Sequence, residues 1–198
     1  MVAVVDYNTG NLRSVCNALL RIGADIKVTS DHDVIRRADR VVLPGVGDAA
    51  WAMSQLGERG LDTLIRQLTS PVLGICIGMQ LMCRHSEEGD VDCLGIFDTD
   101  VRKLTPDLSR GIKVPHMGWN EVSAIDPSPI MQGIRGGDMV YFVHSYAADL
   151  SPFTVAISNN GRDFSAVLAR DNFYGVQFHP EKSGDVGARI LSNFIELL

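Results

Sequence analysis

Positive charge is in short supply. Lys and Arg number 18 against 24 Asp and Glu, a formal charge of −6. That balance argues against a nucleic-acid binder, which presents a basic face. Cysteine is scarce too. Cys16, Cys76, Cys83 and Cys93 are the full set, and no C-x-x-C pair occurs. This indicates neither a disulfide framework nor a structural zinc site, and no metal or cofactor is expected. Reduced thiols fit a cytosolic setting. Long apolar runs are missing, with nothing near the roughly 18 residues needed to span a bilayer. The opening M-V-A-V-V-D-Y lacks a basic segment before its apolar residues, so no secretory signal is expected. Repeats, low-complexity tracts and linkers are also lacking.

What remains is an ordinary globular composition, 45% hydrophobic and 21% charged, over 198 residues. That length suits one domain, 1–198, with a sizeable core. Short apolar strands are expected at 2–6, 26–29, 40–43 and 72–75, the third cut off by Pro44-Gly45. Helical spacing of Leu12, Val15, Leu19 and Ile22 follows the first strand, closed by Gly23. Leu56, Leu61, Leu64, Ile65 and Leu68 mark further helical material. This alternation implies βαβ units and a parallel sheet. Strand-like stretches then crowd together at 96–104, 118–125, 140–147, 154–158, 165–169 and 173–178, an antiparallel extension. A final helix over 188–198 places Ile190, Leu191, Phe194, Ile195 and Leu198 on one face.

One thiol stands apart. G-I-C-I-G at 74–78 follows an apolar strand and opens a helix, the cysteine version of the nucleophile elbow. Gly74 and Gly78 are the small neighbours such a turn demands. Ile77 has a free backbone N–H for an oxyanion. The plainer reading is a small buried thiol between turn glycines.

A thiol nucleophile needs a base, and the base an orienting group. His32 and His85 sit among charged residues and read as surface. His179 closes the apolar F-Y-G-V-Q-F and is followed by Pro180 and Glu181. Two residues on in an extended chain, Glu181 would face the same side and fix the ring. Upstream, L-P-G-V-G at 43–47 could supply a second oxyanion N–H from Val46. A phosphate loop or a plain turn are the alternatives, though the Lys and Ser/Thr of a P-loop are missing.

L-P-G-V-G, G-I-C-I-G-M-Q and G-V-Q-F-H-P-E, in this order, resemble the class I, triad-type glutamine amidotransferases. P-H-M-G-W-N at 115–120, Y-F-V-H-S-Y at 141–146, Lys182-Ser183 and the opening D-Y-N-T-G-N-L-R-S-V narrow this to the glutaminase subunits of imidazole glycerol phosphate synthase. The resemblance implies a three-layer, flavodoxin-like α/β fold with a mostly parallel central sheet. It implies a Cys76–His179–Glu181 triad that hydrolyses glutamine through a thioester, with Val46 and Ile77 holding the oxyanion. Gly45, Gly47, Gln80, His144, Ser145 and Tyr146 would meet the substrate. Read alone, Gln80 is also a helix-surface residue and His144 a core histidine.

The resemblance further implies a heterodimer with a (β/α)8-barrel synthase subunit that uses the ammonia in histidine biosynthesis. A barrel of roughly 250 residues does not fit in this chain, so it would be a second polypeptide. Asn11, Met117, Trp119, Asn120, Tyr141 and Lys182 match positions at that interface. Without the family, Trp119 and Tyr141 read as core aromatics. Asn8 and Thr9 depart from the usual D-Y-G-x-G-N, a change not expected to touch the triad. Three other readings compete. One is a glutaminase for pyridoxal phosphate or anthranilate synthesis. Another is a catalytically idle subunit, and the third a peptidase or γ-glutamyl hydrolase that works without a partner.

Overall fold

The computed structural model describes residues 1–197. The first half alternates strands and helices. β1 (Val2–Val5), α1 (Leu12–Arg21), β2 (Ile26–Thr29), α2 (His32–Arg37), β3 (Arg40–Gly45), α3 (Ala49–Glu58), α4 (Leu61–Arg66), β4 (Val72–Cys76) and α5 (Ile77–Met82) follow in order. The second half is strand-rich: β5 (His85–Ser86), β6 (Val91–Asp92), β7 (Asp100–Lys103), β8 (His116–Glu121), β9 (Ser123–Ala124), β10 (Met139–His144), β11 (Tyr146–Ala148), β12 (Thr154–Asn159), β13 (Asp163–Arg170) and β14 (Phe173–Val176), then α6 (Gly184–Glu196).

The main sheet has the order β2-β1-β3-β4-β14-β13-β12-β9. Its first five strands are mutually parallel, and the remaining three run antiparallel to their neighbours. The parallel part has the flavodoxin-like 2-1-3-4-5 order, in which ligands sit outside the carboxyl ends of the strands where the order reverses. All residues of β1 and β4 are buried, as a strand covered on both faces requires. Helices α2, α4, α3 and α5 contact one another in that order, while α1 and α6 both meet the turn Pro180–Lys182, so helices cover the two faces. Two small sheets, β10-β8 and β11-β7-β5-β6, flank this body.

Several expectations change in detail. Strand β3 does not stop before Pro44-Gly45; it pairs with β4 through Gly45. Pro44 is tolerated because pairing with β1 ends at Val42, so its missing N–H falls where no ladder continues. Its carbonyl there accepts the Tyr7 hydroxyl at 2.7 Å. Helix α2, unforeseen, starts because Asp31 accepts from Asp33 N and Val34 N, an N-cap. His32 is half-buried, and its Nε2 lies 2.7 Å from the Arg59 carbonyl. His85 contacts Asp90 and Asp92. Strand β14 ends at Val176, and α6 begins four residues early at Gly184. Leu198, expected on the apolar face of α6, lies outside the described residues. No helix among those described is long and apolar enough to cross a membrane.

Candidate active site

Four consecutive carboxyl ends of the parallel strands converge. After β1 comes the turn at 7–11, after β3 the segment 45–47, after β4 Cys76, and after β14 His179. The last three border a cleft of about 360 Å³ lined by Val46, Cys76, Ile77, Gln80, Glu88 and His179 among others. That volume suits a small metabolite.

Cys76 ends β4 with φ 53° and ψ −109°, the strained backbone of an elbow. Packing enforces it. A Cβ on Gly74 would stand 2.7 Å from Gly78 and Met79 backbone atoms, and one on Gly78 would run into the Leu43 carbonyl oxygen. Only glycine lets β3, β4 and α5 approach so closely. Ile77 then begins α5, and its N–H has no acceptor within the helix. Burial pushes the thiols of Cys83, Cys93 and Cys16 up.

His179 Nδ1 is 2.8 Å from Glu181 Oε1, and both side chains are inaccessible to water. Glu181 gets there by a route other than an extended chain. Residues Pro180–Lys182 form a 3-10 turn, started by a proline whose fixed φ suits that position. Burial works against charge on His179, but the Cys76 sulfur and the Glu181 carboxylate outweigh it and raise its pKa to about 9. Burial likewise opposes the Glu181 charge, yet His179 and Asn11 bring its pKa down on balance. His179 Nε2 has no hydrogen-bond partner among the described residues. Such bonds are often long in a site without substrate and tighten when it binds.

The rest of the lining was partly foreseen. Gly47, His144, Ser145 and Tyr146 line the cleft. Gly45 sits behind it, packed so that a Cβ would lie 2.7 Å from Gly78 N and 2.8 Å from Tyr7 Oη. Gln80 is buried, not on a helix surface. Its Nε2 donates to Tyr146 O (2.9 Å) and Gln177 Oε1 (3.0 Å), while its Oε1 has no partner among the described residues. Gln177, not singled out from the sequence, also donates from Nε2 toward Cys76 Sγ at 3.7 Å. Glu88, unforeseen as well, is half-buried. Burial raises its pKa, against the Ala49 N–H that its carboxylate accepts.

His144 is both pocket wall and core histidine. Its Nδ1 is 2.8 Å from Tyr146 O, and its Nε2 is 3.0 Å from His116 Nδ1. A carbonyl only accepts, so His144 carries its proton on Nδ1, and His116 Nδ1 must donate to His144 Nε2. Asn120 Nδ2 completes the chain on His116 Nε2 at 3.0 Å. Burial keeps both rings neutral, with pKa values down to about 4 for His116 and about 3 for His144.

The N-terminal turn reaches the site. Asn11 Nδ2 donates to Glu181 Oε1 at 2.7 Å. Of the two departing residues, Thr9 accepts the Val46 N–H on its Oγ1 at 3.2 Å, a contact with the segment after β3 and not with Cys76, His179 or Glu181. Asn11 takes φ 67° and caps α1 without a side-chain bond, because its amide is turned to Glu181 instead.

On the rim, Met117 and Trp119 are 63% and 54% exposed, large apolar side chains left open to solvent. Trp119 meets Tyr141 edge-on at 6.1 Å, and Lys182 Nζ stands 5.9 Å above the Tyr141 ring. Asn120 differs from them. Its Nδ2 is also bonded to Asn159 O, and its Oδ1 accepts from Glu121 N, so its polar atoms are spent inside the fold. Among the described residues, no group of three or more His, Cys, Asp or Glu could hold a metal ion.

A strained cysteine at a strand-to-helix turn, a buried His–Glu pair beside it and the Ile77 N–H at the start of α5 suit acyl transfer. Comparison with known proteins agrees. The family model of class-I glutamine amidotransferases matches residues 3–197. The HisH subunit of imidazole glycerol phosphate synthase from Bacteroides fragilis is 56% identical, over 99% of each chain. The Escherichia coli HisH subunit is 51% identical, again over 99% of each. Two solved structures share the fold. One is a putative GMP synthase subunit from Thermoplasma acidophilum (TM-score 0.75, 24% identity, 98% of this chain and 91% of that one). The other is a glutamine amidotransferase (TM-score 0.76, 16% identity, 100% and 98%). The chain therefore belongs to the class-I glutamine amidotransferases and, within them, to the family of HisH, the glutaminase subunit of imidazole glycerol phosphate synthase in histidine biosynthesis.

Proposed function

We propose that this chain is one glutamine amidotransferase domain in which Cys76, His179 and Glu181 hydrolyse glutamine, and that it works as half of a heterodimer. The Cys76 sulfur attacks the side-chain amide carbon. The amide oxygen becomes an oxyanion received by Ile77 N–H and, once it is turned inward, Val46 N–H. His179, its pKa raised to about 9, holds a proton at neutral pH and passes it to the departing nitrogen, which leaves as ammonia. Water then attacks the γ-glutamyl thioester and gives its proton to His179; glutamate leaves and the thiolate returns. Glu181 fixes the ring and balances its charge.

Substrate selection follows from the lining. The Glu88 carboxylate stands ready for the α-ammonium of glutamine. The unpartnered Gln80 Oε1 offers an acceptor, and residues 45–47 and 144–146 offer backbone groups. The observation that carries this reading is Cys76 held at φ 53° beside a sealed His179–Glu181 pair.

The ammonia passes to a (β/α)8-barrel synthase subunit, with the pair acting in the cytoplasm. The exposed Met117 and Trp119, the adjoining Tyr141 and Lys182, and Asn11 beside Glu181 favour this face as the interface. Asn120 stiffens the strand beneath it. Cys76→Ala tests the reading. Glutamine-dependent synthesis by the complex should vanish, while synthesis from added ammonia should persist. Retained glutaminase activity in C76A would rule out the triad.

A further inference from the structure

Gln177, just past the end of β14, is fully buried. Its Oε1 accepts from Gln80 Nε2 at 3.0 Å, and its Nε2 lies 3.7 Å from Cys76 Sγ. Which branch of this amide faces the sulfur follows from a backbone carbonyl. Tyr146 O can only accept, and Gln80 Nε2 and His144 Nδ1 both reach it, at 2.9 and 2.8 Å. Gln80 must therefore turn its NH2 group to Tyr146. The second proton of that group points to Gln177, which must answer with its oxygen. That leaves the Gln177 NH2 group facing Cys76. An N–H donor is thus fixed on the sulfur by a relay that ends in the main chain.

We infer that Gln177 is a catalytic residue of this site, whose amide N–H holds the Cys76 sulfur and favours its charged form. The inference rests on the reading of Cys76 as the nucleophile. The sulfur has a second contact of the opposite kind, with Val143 O at 4.0 Å. A carbonyl only accepts, so this contact serves the protonated thiol alone. The Gln177 N–H donates to thiol and thiolate alike, and a bond to a charged acceptor is about twice as strong. Loss of the proton therefore gives up the first contact and strengthens the second. The same holds when the thioester breaks. The electron pair of its C–S bond returns to sulfur, where the donor is already aimed. An amide does not ionise, so unlike His179 it donates at every working pH.

The test follows alkylation of Cys76 by iodoacetamide across pH, read by peptide mass mapping, in the full chain and in Gln177→Met. The substitution keeps the bulk and removes the donor. Losing the bond should move the midpoint of the rate profile up by about one pH unit. A thiolate without its donor is rarer but more nucleophilic, by about three-fold for each pH unit. Alkylation in Q177M should therefore be about three-fold slower below the midpoint and about three-fold faster on the high-pH plateau. The two profiles cross. A pocket loosened by the substitution would instead speed alkylation at every pH, with the midpoint unmoved. Parallel profiles of that kind, or identical ones, overturn the proposal.

The side-chain amide resonances of Gln177 in the unmutated chain give a second reading that needs no variant. They should shift with pH at the midpoint of the alkylation profile; resonances that stay still while Cys76 ionises overturn the proposal. Failure of the underlying reading looks different. If the complex with the barrel subunit still hydrolyses glutamine after Cys76 is fully alkylated, Cys76 is not the nucleophile. If alkylation abolishes hydrolysis but the Q177M profile matches the parent, only the role of Gln177 falls.

Discussion

Strands β3 and β4 lie side by side and end at the same cleft, yet their turns are built on opposite principles. The β4 turn holds Cys76 by backbone packing. Gly74 and Gly78 touch the adjoining backbone of β3 and α5 so closely that no side chain fits. The β3 turn packs Gly45 as tightly, but around it the Tyr7 hydroxyl holds the Pro44 carbonyl and Thr9 holds the Val46 N–H, with open space around Gly47. Close packing admits one arrangement; hydrogen bonds to a glycine-flanked peptide can be exchanged for others. Cys76 is fixed by packing, whereas the Val46 peptide is held by a bond that can be exchanged.

The largest test of this contrast is steric. In Gly78→Ala the new Cβ meets the Leu43 carbonyl, and the protein should lose more than about 4 kcal/mol or fail to fold. Gly47→Ala meets no atom within 4 Å. It should cost only about 1–3 kcal/mol for its left-handed φ. Urea unfolding compares the two, and equal losses would erase the contrast.

A second test separates binding from chemistry. Glu88→Gln removes the charge proposed to meet the substrate ammonium but leaves Cys76 in place. The KM for glutamine should rise about ten-fold or more, the order of a lost charge-assisted bond, with kcat little changed in steady-state kinetics. A fall in kcat alone would place Glu88 in the chemistry.

The smallest effect comes from the histidines, which titrate in opposite directions. His116 and His144 have lowered pKa values, about 4 and about 3. Below pH ~6.5 the unfolded chain binds protons that the folded chain refuses, so stability falls from there toward pH 4, by about 1.4 kcal/mol per pH unit per histidine at most. His179 is raised to about 9. Its contribution is complete below pH ~6.5 and is lost as pH rises through 9. Urea midpoints from pH 7 to 5 should drop less steeply in His116→Gln than in the parent. Parallel slopes would mean that His116 is not held neutral.

The same contrast explains what the sequence disclosed. An elbow built on packing writes itself locally, as glycines two residues either side of a cysteine, and it was legible. Residues 179 and 181 were legible as a pair, though the 3-10 turn after Pro180 delivers Glu181 rather than an extended strand. The hydroxyl restraint left no pattern. Thr9 and Val46 are 37 residues apart, Asn11 and Glu181 are 170 apart, and single side-chain bonds across such spans have no period or spacing. P-H-M-G-W-N and Y-F-V-H-S-Y stood out separately, but their joining through His116 and His144 needed the β8–β10 register. Glu88 hid in a charged run that read as surface. Of the parallel sheet, the apolar strands were plain. Helix α2 was missed because its signal is one capping aspartate over six residues.

The central claim is that the nucleophile is ready at rest while the oxyanion site is not. Glutamine hydrolysis by this chain, measured alone and then with the barrel subunit and its ligand, tests it most directly. The account predicts slow turnover alone and a rise in kcat of about 10² or more in the liganded complex, the effect of gaining one oxyanion donor. Full turnover by the isolated chain would contradict it.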